Sequence, residues 1–147
     1  MPEAENAEHK GPLPVVPYLV GVEEGDPHLQ GQKWAGCGAV FLLERAERTI
    51  CSSCCARDQL EPFRLSDRGT LYVYSIVHRS FPGVETPYIS AVVDLENGGT
   101  VKGNLIGVEP VPEKINMGMP VEVVYKIAPQ KDREGTEYMA YYFQPVN

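Results

Sequence analysis

Residues 87–107 read "PYISAVVDLENGGTVKGNLIG". Two runs rich in apolar and β-branched residues, Tyr88 to Leu95 and Thr100 to Ile106, flank Asn97-Gly98-Gly99. Glycine adopts the positive φ that a tight hairpin demands, so the stretch predicts two strands joined by a turn. Upstream, "TLYVYSIVHRS" (Thr70 to Ser80) is dense in β-branched and aromatic residues and predicts a strand before the hairpin. Downstream, "EPVPEKINMGMP" is a proline-rich crossover that ends in a turn at Met117 to Pro120. "VEVVYKIA" (Val121 to Ala128) and "YMAYYFQPV" (Tyr138 to Val146) supply two more strands, parted by the polar loop "PQKDREGTE". Five short strands with one longer break after the third suit a small closed barrel of the OB type. A β-sandwich is the alternative, but it usually has about seven strands.

The N-terminal half has a different texture. Residues 1 to about 18 are expected to form an arm that orders only on contact with something. Pro12, Pro14 and Pro17 favour extended backbone there. The arm's apolar residues Val15, Val16, Tyr18 and Leu19 suggest packing along a partner. Residues 19–33 are expected to be a connector, with a turn signal at Gly25-Asp26-Pro27. Residues 34–60 form a cysteine segment, in which "AVFLLERAERTI" reads as two short strands around a turn near Glu44 to Glu47.

All four cysteines, Cys37, Cys51, Cys54 and Cys55, fall in that segment. A secreted disulfide scaffold would spread them along the chain, so clustering favours a metal. Cys51-Ser-Ser-Cys54 has the spacing of a metal knuckle, and structural zinc takes four thiolate or imidazole ligands. Cys55 is the first candidate for the fourth ligand, His28 an alternative, and Asp58 a weaker one. The competing reading is a ribbon without metal, in which Trp34 fills the hole and the cysteines act as small apolar residues.

Composition narrows the function classes. The formal net charge is -7, and no basic stripe accompanies the aromatics, which argues against a nucleic-acid partner. No apolar run approaches the ~20 residues that span a bilayer, and the start of the chain lacks a signal-peptide pattern, so a cytoplasmic location without membrane attachment is expected. The histidines are His9, His28 and His78; none falls in a Ser-His-Asp order or a metalloprotease motif. The chain therefore reads as non-catalytic on its own. Nine aromatics from Tyr72 to Phe143 are expected to divide between the core and an outward, partner-facing surface.

The order arm, cysteine ribbon, barrel resembles the DUF35 family of acyl-CoA-associated OB-fold proteins. The residues that carry the resemblance are "HLQGQKWAGCGAVFLLERAERTICSSC", "GTLYVYSIVHR", "PYISAVVDLENGGTVKGNLIG", "MGMPVEVVYK" and the terminal "YYFQPV". It implies a mainly β chain: an extended or helical N-terminal arm and connector (1–28), a rubredoxin-like zinc ribbon (29–62) and a five-stranded OB-fold (63–147). It places Cys37, Cys51 and Cys54 at zinc-ligand positions, whereas the family's C-x-x-C-G at the first knuckle reads here Trp34-Ala-Gly-Cys37-Gly. It implies an accessory subunit of a thiolase-like enzyme acting on CoA thioesters, of an aromatic or steroid-like acid, in a hetero-oligomer. Arg79, Lys102, Lys131 and Arg133 are the basic residues that can meet CoA phosphates, each also readable as a solvated surface charge. The rival readings are a partner of an acyl-CoA aldolase or hydratase, a free-standing acyl-CoA-binding module, and a single-strand nucleic-acid binder.

Overall fold

The computed structural model describes residues 11–42, 50–51, 54–55, 57, 60–129 and 131–146. Five strands make the barrel: β6 (Arg68–Val77), β7 (Tyr88–Leu95), β8 (Thr100–Leu105), β9 (Pro120–Ile127) and β10 (Tyr138–Pro145). β6, β7 and β8 form an antiparallel meander. β10 then pairs with β8 in parallel, Tyr142 opposite Asn104, and β9 lies antiparallel to both β10 and β6. The ring β6-β7-β8-β10-β9 is thereby closed and its edges disappear, as the five-strand pattern predicts. Between β8 and β9 a short 3-10 turn (Pro112–Lys114) leads to Ile115, which is buried in the core.

A bulge in β6 explains why its sequence does not alternate cleanly. Leu71 faces Val93 and Val73 faces Val92, which leaves Tyr72 without an opposite number. The extra residue reverses the parity of the strand. Gly69 and Leu71 are buried before it, whereas Tyr74 and Ile76 are the residues packed on the core after it. Tyr72 and Val73 are both left outside, 61% and 41% exposed.

On β8, Gly103 makes room for aromatic rings. A Cβ there would lie 2.8 Å from ring atoms of both Tyr141 and Phe143. The two rings meet edge to face, with centroids 5.9 Å apart, a favoured aromatic geometry.

The second sheet holds β2 (Leu19–Val20), β3 (His28–Trp34), β4 (Val40–Leu42) and β5 (Leu60–Arg64). β3 is its central strand, with β5 along one side and β2 and β4 along the other. The expectation that residues 19–33 are a connector is therefore corrected. Leu29 alternates into the core and both edges of β3 find partners, so the segment is a strand despite its glycine and polar residues. The turn expected near Glu44 to Glu47 lies outside the described residues.

The arm also needs correction from Gly11 onward. β1 (Leu13–Pro14) pairs in parallel with the start of β10. The Leu13 and Val15 amides donate to the carbonyls of Glu137 and Met139, each at 3.0 Å. Leu19 is 1% exposed, and Val16 and Tyr18 pack against the same core. The apolar residues expected to await a partner cover this chain's own barrel; Val15 alone of the four stays 47% exposed. Residues 1–10 lie outside the described residues.

Leu19, Leu29 and Leu65 join the barrel residues in one continuous core. Polar contacts reinforce the junction. Asn97 of the hairpin turn accepts from the Ser66 amide at 2.8 Å and donates to the Arg64 carbonyl at 3.1 Å. Arg64 in turn grips both carboxylate oxygens of Asp26, at 2.8 and 3.2 Å. That fork holds the Asp26 carboxyl below its ordinary pKa.

Candidate metal centre

Two turns bring the cysteines together, and they are built alike. In the first, Gly38 donates its amide to the Trp34 carbonyl at 2.8 Å. In the second, Cys55 donates its amide to the Cys51 carbonyl at 2.9 Å. Both span five residues. In both the donor residue has positive φ, 74° at Gly38 and 62° at Cys55. Cys37 therefore corresponds to Cys54, Trp34 to Cys51, and Gly38 to Cys55. Burial follows the same symmetry: Trp34 and Cys51 are buried, at 1% and 0% exposure, whereas Cys37 and Cys54 are exposed.

The sulfurs of Cys37, Cys51 and Cys54 all lie within 4.8 Å of one another, with Cys37 and Cys51 3.6 Å apart. A tetrahedral zinc with bonds of about 2.3 Å would set its sulfurs roughly 3.8 Å apart. No disulfide links the cysteines. The donor set and its spacing therefore fit a thiophilic metal ion, with these three cysteines as its ligands among the described residues.

The sulfur of Cys55 is outside this group. Its residue occupies the left-handed turn position that Gly38 fills in the first knuckle, so its side chain leaves the turn on a different course from the ligands. His28 is outside the group as well; its Nδ1 donates to the Asp26 carbonyl at 2.8 Å. Asp58 lies outside the described residues. The fourth corner of the paired knuckles belongs to Trp34. Its indole Nε1 is buried and has no hydrogen-bond partner, the one such side-chain atom among the described residues.

The basic residues proposed for phosphates sit on three separate segments. Arg79 follows β6, Lys102 projects from the middle of β8, and Lys131 and Arg133 lie in the β9–β10 loop. Lys131 is paired with Glu137 at 3.2 Å. Asp132 organises that loop by accepting from the amides of Glu134 and Thr136 and from the Tyr138 hydroxyl, and the amide bond from Thr136 leads in holding its carboxyl below the ordinary pKa.

Sequence reasoning did not find the groove beside β8 and β10. It holds about 640 Å³ and is lined by Val84, Tyr88, Ala140 and Tyr142 among others. Burial pushes the Tyr142 phenol above its ordinary pKa. Phe81, in the β6–β7 loop, is 83% exposed. At the inner side of β10, Tyr141 donates to the Lys102 carbonyl, and Tyr18 of the arm lies 2.7 Å from the Tyr141 hydroxyl. No described helix is long and apolar enough to cross a membrane.

A family model described as the C-terminal OB-fold domain of ChsH2 matches residues 64–126. A DUF35 domain-containing scaffold protein of Methanocaldococcus jannaschii is 31% identical over 80% of this chain and 82% of its own length. The benzoylsuccinyl-CoA thiolase subunit BbsA of Geobacter metallireducens is 34% identical over 56% of this chain and 53% of its own length. Among solved structures, a chain of the Ltp2-ChsH2(DUF35) aldolase superposes with a TM-score of 0.63 at 26% identity, covering 87% of this chain and 91% of that one. The closed barrel, the paired cysteine knuckles and a relative matched over most of both chains agree: this chain is a member of the DUF35 family of OB-fold proteins.

Proposed function

We propose that this chain is a non-catalytic accessory subunit of a thiolase-superfamily enzyme acting on CoA thioesters of an aromatic or steroid-like acid in the cytoplasm. Its role is to hold the catalytic subunits together and to wall part of the channel for the CoA ester. The observation that carries the reading is the likeness to BbsA, a protein named as a thiolase subunit. The surface supports it: a residue as large and apolar as Phe81, 83% exposed beside an apolar groove, is costly to leave in water and suits a protein partner. Arg79, Lys102, Lys131 and Arg133 are the basic groups available to CoA phosphates. The modules of this reading are an N-terminal segment (1–28), ribbon (29–62) and OB-fold (63–147), with the catalytic cysteine and histidine on the partner.

In the same reading Cys37, Cys51 and Cys54 hold a structural zinc ion. The metal would fix the two knuckles to each other.

Co-expression with a thiolase-like protein of the same organism tests the function, read as the mass of the purified complex. A stable hetero-oligomer is the expected result; a chain that stays alone with every thiolase offered refutes it. The likeness to an aldolase chain favours one second reading, in which the partner is an acyl-CoA aldolase or hydratase. Offering those enzymes in the same experiment separates the two.

A further inference from the structure

The sequence holds four cysteines and all four are among the described residues, so every thiol of the chain is accounted for. Three have their sulfurs within 4.8 Å of one another, and Cys55 lies outside that group. The three are divided unequally. The second knuckle holds Cys51 and Cys54, whereas the first holds Cys37 alone, because Trp34 stands where its counterpart has Cys51. A ribbon with two cysteines in each knuckle can oxidise within each one. Cys37 has no thiol in its own knuckle, so its partner in oxidation must come from the other. The Cys51 sulfur lies 3.6 Å away, against a disulfide bond of about 2 Å. Cys37 is exposed and Cys51 is buried. The pair has the two parts of a peroxide-sensitive site: a thiol that the oxidant can reach from solvent and a second thiol close behind it.

We propose that Cys37 is an oxidation site, at which hydrogen peroxide converts Cys37 and Cys51 into a disulfide that joins the two knuckles in place of the metal. The release of metal rests on the metal reading above; the disulfide itself does not. The Cys37 thiolate attacks one peroxide oxygen, so that an S–O bond forms, the O–O bond breaks and hydroxide leaves. The Cys51 thiolate then attacks the Cys37 sulfur: the S–S bond forms, the S–O bond breaks and a second hydroxide leaves. Two electrons pass from the sulfur pair to the peroxide, and both hydroxides take up protons to become water. Of the three clustered sulfurs only that of Cys54 remains a thiolate, too few to hold the ion. The link closes a loop over residues 38–50, and a cross-link of that kind restricts the unfolded chain. A link between Cys51 and Cys54 would enclose only Ser52 and Ser53 and leave the first knuckle untied. The two knuckles are thus held to each other in both redox states, by the metal when the cysteines are reduced and by the disulfide when they are oxidised.

The experiment treats the zinc-loaded full chain with hydrogen peroxide and follows free thiols, zinc released to a chromogenic chelator, and tryptic peptides by mass. Thiols are expected to fall from four per chain to two, the loss of one pair, with zinc released in step and both changes reversed by dithiothreitol. Trypsin cuts after Arg45 and Arg48, which puts Cys37 on one peptide and Cys51, Cys54 and Cys55 on another. The expected product is those two peptides joined, with fragmentation placing the bond at Cys51. Cys55→Ser is expected to oxidise as the parent does, and Cys37→Ser to keep its thiols at the same dose of peroxide. Trp34→Cys gives Cys37 a thiol in its own knuckle and is expected to move the link inside the first peptide. A wild-type chain whose peptides never join, or whose bond is confined to Cys51 and Cys54, overturns the proposal and leaves the metal reading intact. Joined peptides in a chain that holds no zinc when reduced overturn the metal reading and leave the oxidation site standing. A cross-link that persists undiminished in Trp34→Cys overturns the account of why Cys37 pairs across the knuckles.

Discussion

Replacing Leu19 by alanine asks whether the N-terminal segment belongs to this chain's own fold. Leu19 sits in β2 opposite Leu29, and both are 1% exposed. It belongs to the core that runs from the ribbon sheet into the barrel. Removing a buried leucine side chain costs the transfer of its methyl groups plus the cavity left behind, about 2–5 kcal/mol. For a chain of this length that corresponds to a drop of roughly 6–20 °C in Tm. The assay is thermal and urea unfolding followed by circular dichroism and by fluorescence of Trp34, the single tryptophan, which is buried in the ribbon. Because one core joins the two sheets, both probes are expected to shift together. Val15→Ala is the control: the side chain is 47% exposed, and a change within about 0.5 kcal/mol is expected. A Leu19→Ala protein with an unchanged midpoint would refute the packing argument and restore the arm as a segment that waits for a partner.

Gly103→Ala places a Cβ 2.8 Å from two rings of a packed core and is expected to destabilise the barrel by about 1–3 kcal/mol in urea titrations. Arg64 and Thr136 hold the carboxyls of Asp26 and Asp132 below their ordinary pKa. Stability from such groups is present above the unfolded carboxylate pKa and lost as pH falls through the lower folded value. Unfolding measured from neutrality to below about pH 4 should therefore fall less steeply in Asp26→Asn and Asp132→Asn than in the parent. Cys51→Ser is expected to lower bound zinc per chain, measured by elemental analysis, well below the parent value, whereas Cys55→Ser should leave it unchanged. Phe81→Ser should leave Tm within the range of a surface substitution yet weaken capture of the catalytic subunit in a pull-down.

Much of the barrel was legible because local chemistry and global packing agree there. The expected strand Tyr88 to Leu95 is β7 residue for residue, since alternation of apolar residues and the Asn97-Gly98-Gly99 turn both act within the hairpin. β6 ends three residues short of its expected end, at Val77, and its bulge at Tyr72 has no local sign: only the pairing with β7 shows which residue is extra. The arm was misread for a different reason. Its prolines do forbid a helix, but an extended chain can still pair with β10, and the partner surface lies more than a hundred residues away in sequence. His28 to Trp34 looked like a connector because a central strand of a small sheet is recognised by its neighbours rather than by its own composition. At the knuckles, spacing pointed to a cysteine cluster, and Cys37, Cys51 and Cys54 do lie together. It could not tell that Cys55 stands apart from that group, in a turn position whose positive φ it shares with Gly38. The orphaned indole N–H of Trp34 is likewise a property of packing.

The accessory role is tested most directly by turnover of a CoA thioester by the thiolase-like subunit with and without this chain. The prediction is that the catalytic subunit is inactive or unstable alone and that adding this chain at stoichiometric amounts restores turnover. A catalytic subunit that turns over equally well in its absence, and never forms a complex with it, would contradict the central claim.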